Sequence, residues 1–115
     1  MKRIFISFPY AGITPEQTQK RVGIAKLYSM NLVTEGKAPY APAIMGDTML
    51  AEFKISMNID YDPGFTAWEL FCYSYLDICD EMHVLMLPGW EDSVGVKAEI
   101  TRAERHDIEI KYIEM

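Results

Sequence analysis

Short apolar runs alternate with longer segments in which apolar side chains recur at helical spacing, and the two periods divide the chain into elements. Arg3 to Phe8 (Arg-Ile-Phe-Ile-Ser-Phe) is β-branched and aromatic and is bounded by Pro9 and Gly12, which predicts a buried first strand. Thr14-Pro15-Glu16-Gln17 then opens a helix, with proline at its first position and acidic charge in its first turn. That helix should run to about Thr34 with Val22, Ala25, Leu27, Met30 and Leu32 on its inner side, and Gly36 should end it. Ala38-Pro39-Tyr40-Ala41-Pro42 suits a short edge strand, because its prolines cannot donate to a ladder.

The segment from Ala43 to Phe65 carries weaker signals. A short helix is expected around Thr48 to Met57, followed by turn residues at Asp60-Tyr61-Asp62-Pro63-Gly64. A connection of this length suits a lid or binding loop. Thr66 to Ile78 repeats Trp68, Phe71, Cys72, Tyr75, Leu76 and Cys79 at helical intervals, with Asp80 as the turn residue at its exit. Met82 to Leu87 reads as a strand, Ser93 to Arg105 as a helix and Glu109 to Ile113 as the last strand. This order predicts one α/β domain over residues 1–115, a flavodoxin-like or Rossmann-like three-layer sandwich. Its sheet should be mainly parallel, of four or five strands, with strands one and three adjacent and a cleft at their C-terminal ends.

Charge narrows the partners. Seventeen acidic against eleven basic residues, a net charge of -6, disfavour a nucleic acid polymer, whose recognition rests on clustered Lys and Arg. A single phosphate stays compatible, since backbone amides at a helix start can hold one. The apolar run after Met1-Lys2-Arg3 is cut short by Pro9, so neither a leader peptide nor a membrane span is expected. Cys72 and Cys79, seven apart on a helix, are separated by about 10 Å of helical rise, too far for an unstrained bridge. Reduced cysteines and a cytoplasmic location follow as expectations. His83 and His106 lack partners at metal-ligand spacing, the eight methionines read as core filling, and Lys20-Arg21 as the solvated face of the first helix.

The chemistry is concentrated in Leu87-Pro-Gly-Trp-Glu-Asp-Ser-Val-Gly-Val-Lys-Ala-Glu99, at the mouth of a strand-loop-helix unit. Ser93 is a preferred helix cap whose hydroxyl and neighbouring amides can also meet an anion. Gly95 at the second helical position costs roughly 1 kcal/mol of helix stability relative to alanine, and it stands one turn before Glu99 on the same face. The missing side chain opens space beside the carboxylate, which could act as nucleophile at a sugar anomeric carbon. Tyr10 follows the first strand as a candidate ligand contact, and Trp90 is either a lid or part of a subunit contact.

Ile6-Ser7-Phe8-Pro9-Tyr10-Ala11-Gly12, Cys79-Asp80-Glu81, and Gly89-Trp90-Glu91-x-Ser93-x-Gly95-x-x-x-Glu99-x-x-x-Ala103 together resemble the small nucleoside 2-deoxyribosyltransferase-like family. The resemblance implies cleavage or transfer of the N-glycosidic bond of a nucleoside or nucleoside 5′-monophosphate, with Glu99 as nucleophile. Ser7, Tyr10, Gly12, Gly89, Trp90, Ser93 and Gly95 would then contact the substrate. No metal or organic cofactor is implied, and a homodimer or higher homo-oligomer is. Two departures matter: Phe8 stands where glycine is common, and Cys72 stands where the family carries an acid. The proton donor would then move to Asp62, Glu69 or Asp60. The alternative is a catalytically impaired module of the same fold that binds or sequesters a nucleotide.

Overall fold

In the computed structural model, residues 1–12 and 14–115 are described. The first strand, β1 (Arg3–Ser7), alternates its side chains between two cores. Ile4 and Ile6 point with Phe8 to one face of the sheet, where they pack with Leu85 against Val22, Ala25 and Leu32. Phe5 points to the other, where it joins Met82, Val84, Leu76, Val96 and Ala103. Both faces are therefore covered, as a parallel sheet requires.

Helix α1 (Pro15–Thr34) begins where Thr14 accepts a hydrogen bond from the Gln17 amide, with Pro15 at its start. Its inner stripe is Val22, Ala25 and Leu32. Leu27 and Met30, expected inside, are 71% and 57% exposed. The reason is angular: at about 100° per residue, Leu27 lies far round the cylinder from Ala25, and Met30 likewise misses the stripe. Strand β2 (Ala38–Tyr40) pairs with β1 at the sheet edge, in register Arg3 with Ala38 and Phe5 with Tyr40.

The next helix, α2 (Pro42–Met57), is the largest departure from the sequence expectation, starting six residues before Thr48. Pro42 supplies the fixed φ of a first helical residue and ends β2 rather than extending it. Its C-terminus closes on Asn58 in the left-handed conformation. Residues 59–64, where turn residues were expected, form an irregular connection before α3 (Phe65–Leu76). Strand β3 (Glu81–Met86), a single 3-10 turn over Trp90–Asp92, α4 (Val94–Arg105) and β4 (Glu109–Glu114) complete the order.

All strand pairs are parallel and the spatial order is β2-β1-β3-β4. Helix α1 covers one face while α3 and α4 cover the other, so the connections reverse between β1 and β3. This is a three-layer, flavodoxin-like or Rossmann-like α/β sandwich, and its reversal point is where ligands bind in open α/β sheets. Asp80 serves the turn role expected of it: its carboxylate accepts from the Arg3 amide at 2.7 Å and pins the start of β1. Both cysteines are free, Cys79 buried and Cys72 partly so. Among the described residues no helix is long and apolar enough to cross a membrane.

Candidate active site

Because β1 and β3 are adjacent, the loops that leave their C-terminal ends diverge and leave a cleft. Helices α2, α3 and α4 wall it, enclosing a cavity of about 820 Å³. Ser7, the last residue of β1, faces the α4 side. Its hydroxyl donates to Oε1 of Glu99 at 2.7 Å. From α3, the Cys72 thiol also hydrogen-bonds this carboxyl. Burial pushes the Glu99 carboxyl up to about 7, and the two donors only partly oppose it. Burial, reinforced by the Glu99 charge, pushes the Cys72 thiol up to about 12, so the sulfur keeps its proton at neutral pH.

Gly95 lines the cavity one turn before Glu99, and a Cβ there would meet no atom within 4 Å. Ser93 caps α4 by accepting from the Val96 amide at 3.3 Å. Its hydroxyl proton donates to no described residue, so cap and ligand donor are compatible roles for one side chain. Gly89, at φ +88°, turns the β3 loop into the cavity wall with a backbone that disfavours other residues.

The opposite wall belongs to Tyr10, whose hydroxyl donates to Asp47 at 2.6 Å. Burial and that bond both raise its pKa, so it stays a neutral phenol. Asp47 also accepts from Gln19, which fixes it against α1. Trp68 and Phe65 of α3 supply aromatic surface. Trp68 stands so close to Gly46 that a Cβ on that glycine would lie 2.8 Å from the ring.

Of the three acids considered as proton donors, Asp62 and Glu69 line the cavity. Asp62 accepts from the Gly64 amide and the Trp68 indole, whereas Glu69 is hydrogen-bonded by Tyr73. Asp60 is outside the lining and pairs with Lys54 at 3.5 Å on the surface. Three of the expected ligand contacts are placed otherwise: Ser7 is buried with its hydroxyl on Glu99 and does not line the cavity. Trp90 packs its ring against Tyr112 at 5.6 Å between centroids and is not part of the cavity wall. Gly12 lets the loop close onto α1: its amide donates to Thr18, and a Cβ would come within 2.6 Å of Gln17.

Arg21 is the residue that sequence reasoning passed over as a solvated charge. Its guanidinium donates to the carbonyls of Pro9 and Ala11 on one loop and of Pro88 on the other, at 2.7 to 3.3 Å. It therefore clamps the two sides of the cleft together. Phe8 does not choke the loop as its size suggested, because the ring is absorbed into the α1-side core. Among the described residues no cluster of metal-binding side chains occurs.

A family model described as "Domain of unknown function (DUF1937)" matches residues 2–115. No curated protein matches the chain.

Proposed function

The chain belongs to the DUF1937 family, and from the geometry of its cleft we propose that it cleaves or transfers the N-glycosidic bond of a nucleoside or nucleoside 5′-monophosphate. The observation that carries this reading is the Ser7–Glu99 hydrogen bond at 2.7 Å beside the open space at Gly95. It holds a carboxylate at the reversal point of the sheet with room for a sugar next to it. The likeness of the Ser93-x-Gly95-x-x-x-Glu99 segment to nucleoside 2-deoxyribosyltransferase-like proteins supports the same chemistry.

In the proposed reaction the ionised Glu99 attacks the anomeric carbon while the bond to the base breaks. Glu69 or Asp62, the acids on the cavity wall, gives a proton to the departing base. Water or a second base then attacks the same carbon and frees the carboxylate. Ser7 and Cys72 hold the nucleophile, Tyr10 and Trp68 provide aromatic surface, and Ser93 with the first amides of α4 takes the 5′ end. The two free thiols suit a reducing, cytoplasmic setting. The homo-oligomer fits Met45, Met49 and Phe53, a stripe of apolar side chains exposed along α2.

The test is incubation with a panel of nucleosides and their 5′-monophosphates, with release of free base followed by chromatography. Release that disappears in Glu99→Ala supports the reading, and release that survives the substitution removes Glu99 as nucleophile. One observation favours a second reading, a binding module that turns nothing over: the side chain beside Glu99 on α3 is a thiol that cannot give up its proton near neutrality. Thermal stabilisation by a nucleotide with no base released would select it.

A further inference from the structure

The lining of the main cavity is acid-rich. Among the described residues, Asp47, Asp62, Glu69, Asp92 and Glu99 face only Arg21 and Lys54, and the Arg21 guanidinium is already committed to three backbone carbonyls. Such a cavity suits the uncharged, donor-rich parts of a nucleoside better than a multiply charged phosphate chain. A second, shallower groove of about 310 Å³ lies along α4 and shares Tyr73 and Ala98 with the main cavity as a common wall. Its charge is of the opposite sign: Lys97, Arg102 and Arg105 line it, and no carboxylate among the described residues does.

The three cations are not equivalent. Arg102 is held by Asp77 through Nε and Nη2 at 2.9 and 2.6 Å and lies 4.7 Å over the Tyr73 ring, which leaves its Nη1 unengaged. Lys97 and Arg105 have no acidic partner among the described residues. Arg105 in the last turn is favoured by the helix dipole, but Lys97 near the N-terminal end of α4 works against it. An unpaired cation in an unfavourable helical position, beside a fixed arginine in a chain of net charge -6, is poorly explained by fold stability.

We propose that the groove over Lys97, Arg102 and Arg105 is an anion subsite for the phosphate chain of a ligand whose glycosidic part occupies the main cavity, so that the ligand is a nucleotide bearing more than one phosphate. This deepens the glycosidase reading and rests on it for the placement of the sugar. The ligand passes over Ala98, the small residue between the two hollows, and its phosphates meet Lys97 first and Arg105 last. Arg102, kept in place by Asp77, presents its free N–H between them.

The experiment is a nitrogen-edited NMR titration with inorganic pyrophosphate and, separately, with adenosine 5′-diphosphate. It compares the wild-type chain with Lys97→Gln/Arg105→Gln, both residues being exposed. Pyrophosphate should shift the amides of residues 97–105, and the double variant should bind it about tenfold or more weakly, the loss expected when two charged donors go. The nucleoside diphosphate should shift Gly95 and Tyr10 together with that stretch. Shifts confined to Ser93–Gly95, equal binding by the double variant, or a diphosphate that moves only one of the two regions would each overturn the subsite. A chain that shows these shifts and releases no base loses the proposed activity but keeps the subsite, whereas base release with an unmoved groove removes the subsite alone.

Discussion

The hydroxyl of Ser7 and the carboxylate of Glu99 meet at 2.7 Å across 92 residues of sequence, the end of the first strand holding a side chain from the last helix. The bond works against burial, which raises the carboxyl to about 7. Glu99 is therefore divided between its two protonation states near neutral pH, and only the ionised one is a nucleophile.

Ser7→Ala removes one of two donors to the ionised form and should raise the Glu99 pKa by about one unit, the equivalent of about 1.4 kcal/mol. If Glu99 is the nucleophile, base release rises with pH through about 7 in the wild type and the same limb appears at higher pH in the variant. A pH-rate profile checks this. A rate that falls with pH over that window would make Glu99 the acid instead.

Glu99→Gln should raise stability in alkaline solution. Because the folded pKa of about 7 lies above the ordinary 4.5, the favourable contribution is present below pH 4.5 and is lost as pH rises through about 7. Above that the charge costs on the order of 3 kcal/mol, which the amide avoids. Urea unfolding at pH 5 and pH 8.5 should show the variant close to the wild type at the first and more stable at the second.

The residues of this site differ in how far they can be read from the chain. Gly95 and Glu99 are legible because a glycine near a helix start carries a cost that local structure does not repay, and because a spacing of four fixes a shared face. The parallel sheet is legible from the unbroken apolar run Ile4-Phe5-Ile6, which suits a strand buried on both faces, and from the helices between strands. Helix α2 is only half legible, since Pro42 reads equally as the end of a strand and as a first helical residue. Asp47 and Arg21 are hidden for a different reason: their partners are Tyr10 and the backbone carbonyls of distant loops, which no local spacing encodes. Gly46 gives no local sign either, because the helix expected from Thr48 leaves it outside, and only the longer α2 brings it against the Trp68 ring.

Arg21→Gln tests the clamp. Losing charged donors to Pro9, Ala11 and Pro88 should destabilise the fold by about 1 to 3 kcal/mol. The loops after β1 and β3 should also exchange their amide hydrogens faster, while the centre of β3 does not. Hydrogen exchange followed by mass spectrometry reads both regions. Unchanged exchange in the two loops would mean that the three bonds do not hold the cleft.

Glu81 provides the contrasting carboxylate. It is 1% exposed on β3, and burial alone would raise its pKa. Hydrogen bonds from His83 and Lys2 and the charge of Lys111 prevail and hold it at about 2, while His83 is braced from the other side by the Tyr28 hydroxyl at 2.7 Å. The depressed pKa gives stability above pH 4.5 that is lost as pH falls through about 2. Glu81→Gln removes the carboxylate that accepts from His83 and Lys2 and should cost about 1 to 3 kcal/mol at pH 7, with the gap from the wild type narrowing on acidification below pH 4.5. Chemical unfolding at pH 7 and pH 3 measures the difference.

Gly95→Ala separates fold from function at a single atom. The helix should gain roughly 1 kcal/mol from the better helix former, and nothing within 4 Å obstructs the new methyl, so the melting temperature should rise. The same methyl enters the cavity one turn before Glu99, in the space assigned to the sugar. Ligand binding should therefore weaken as stability improves, a combination that a purely structural glycine cannot produce. Thermal unfolding with and without nucleoside monophosphate measures both effects on one sample. A stabilised variant that still binds nucleotide as tightly as the wild type would show that the hollow beside Glu99 is not where the ligand lies.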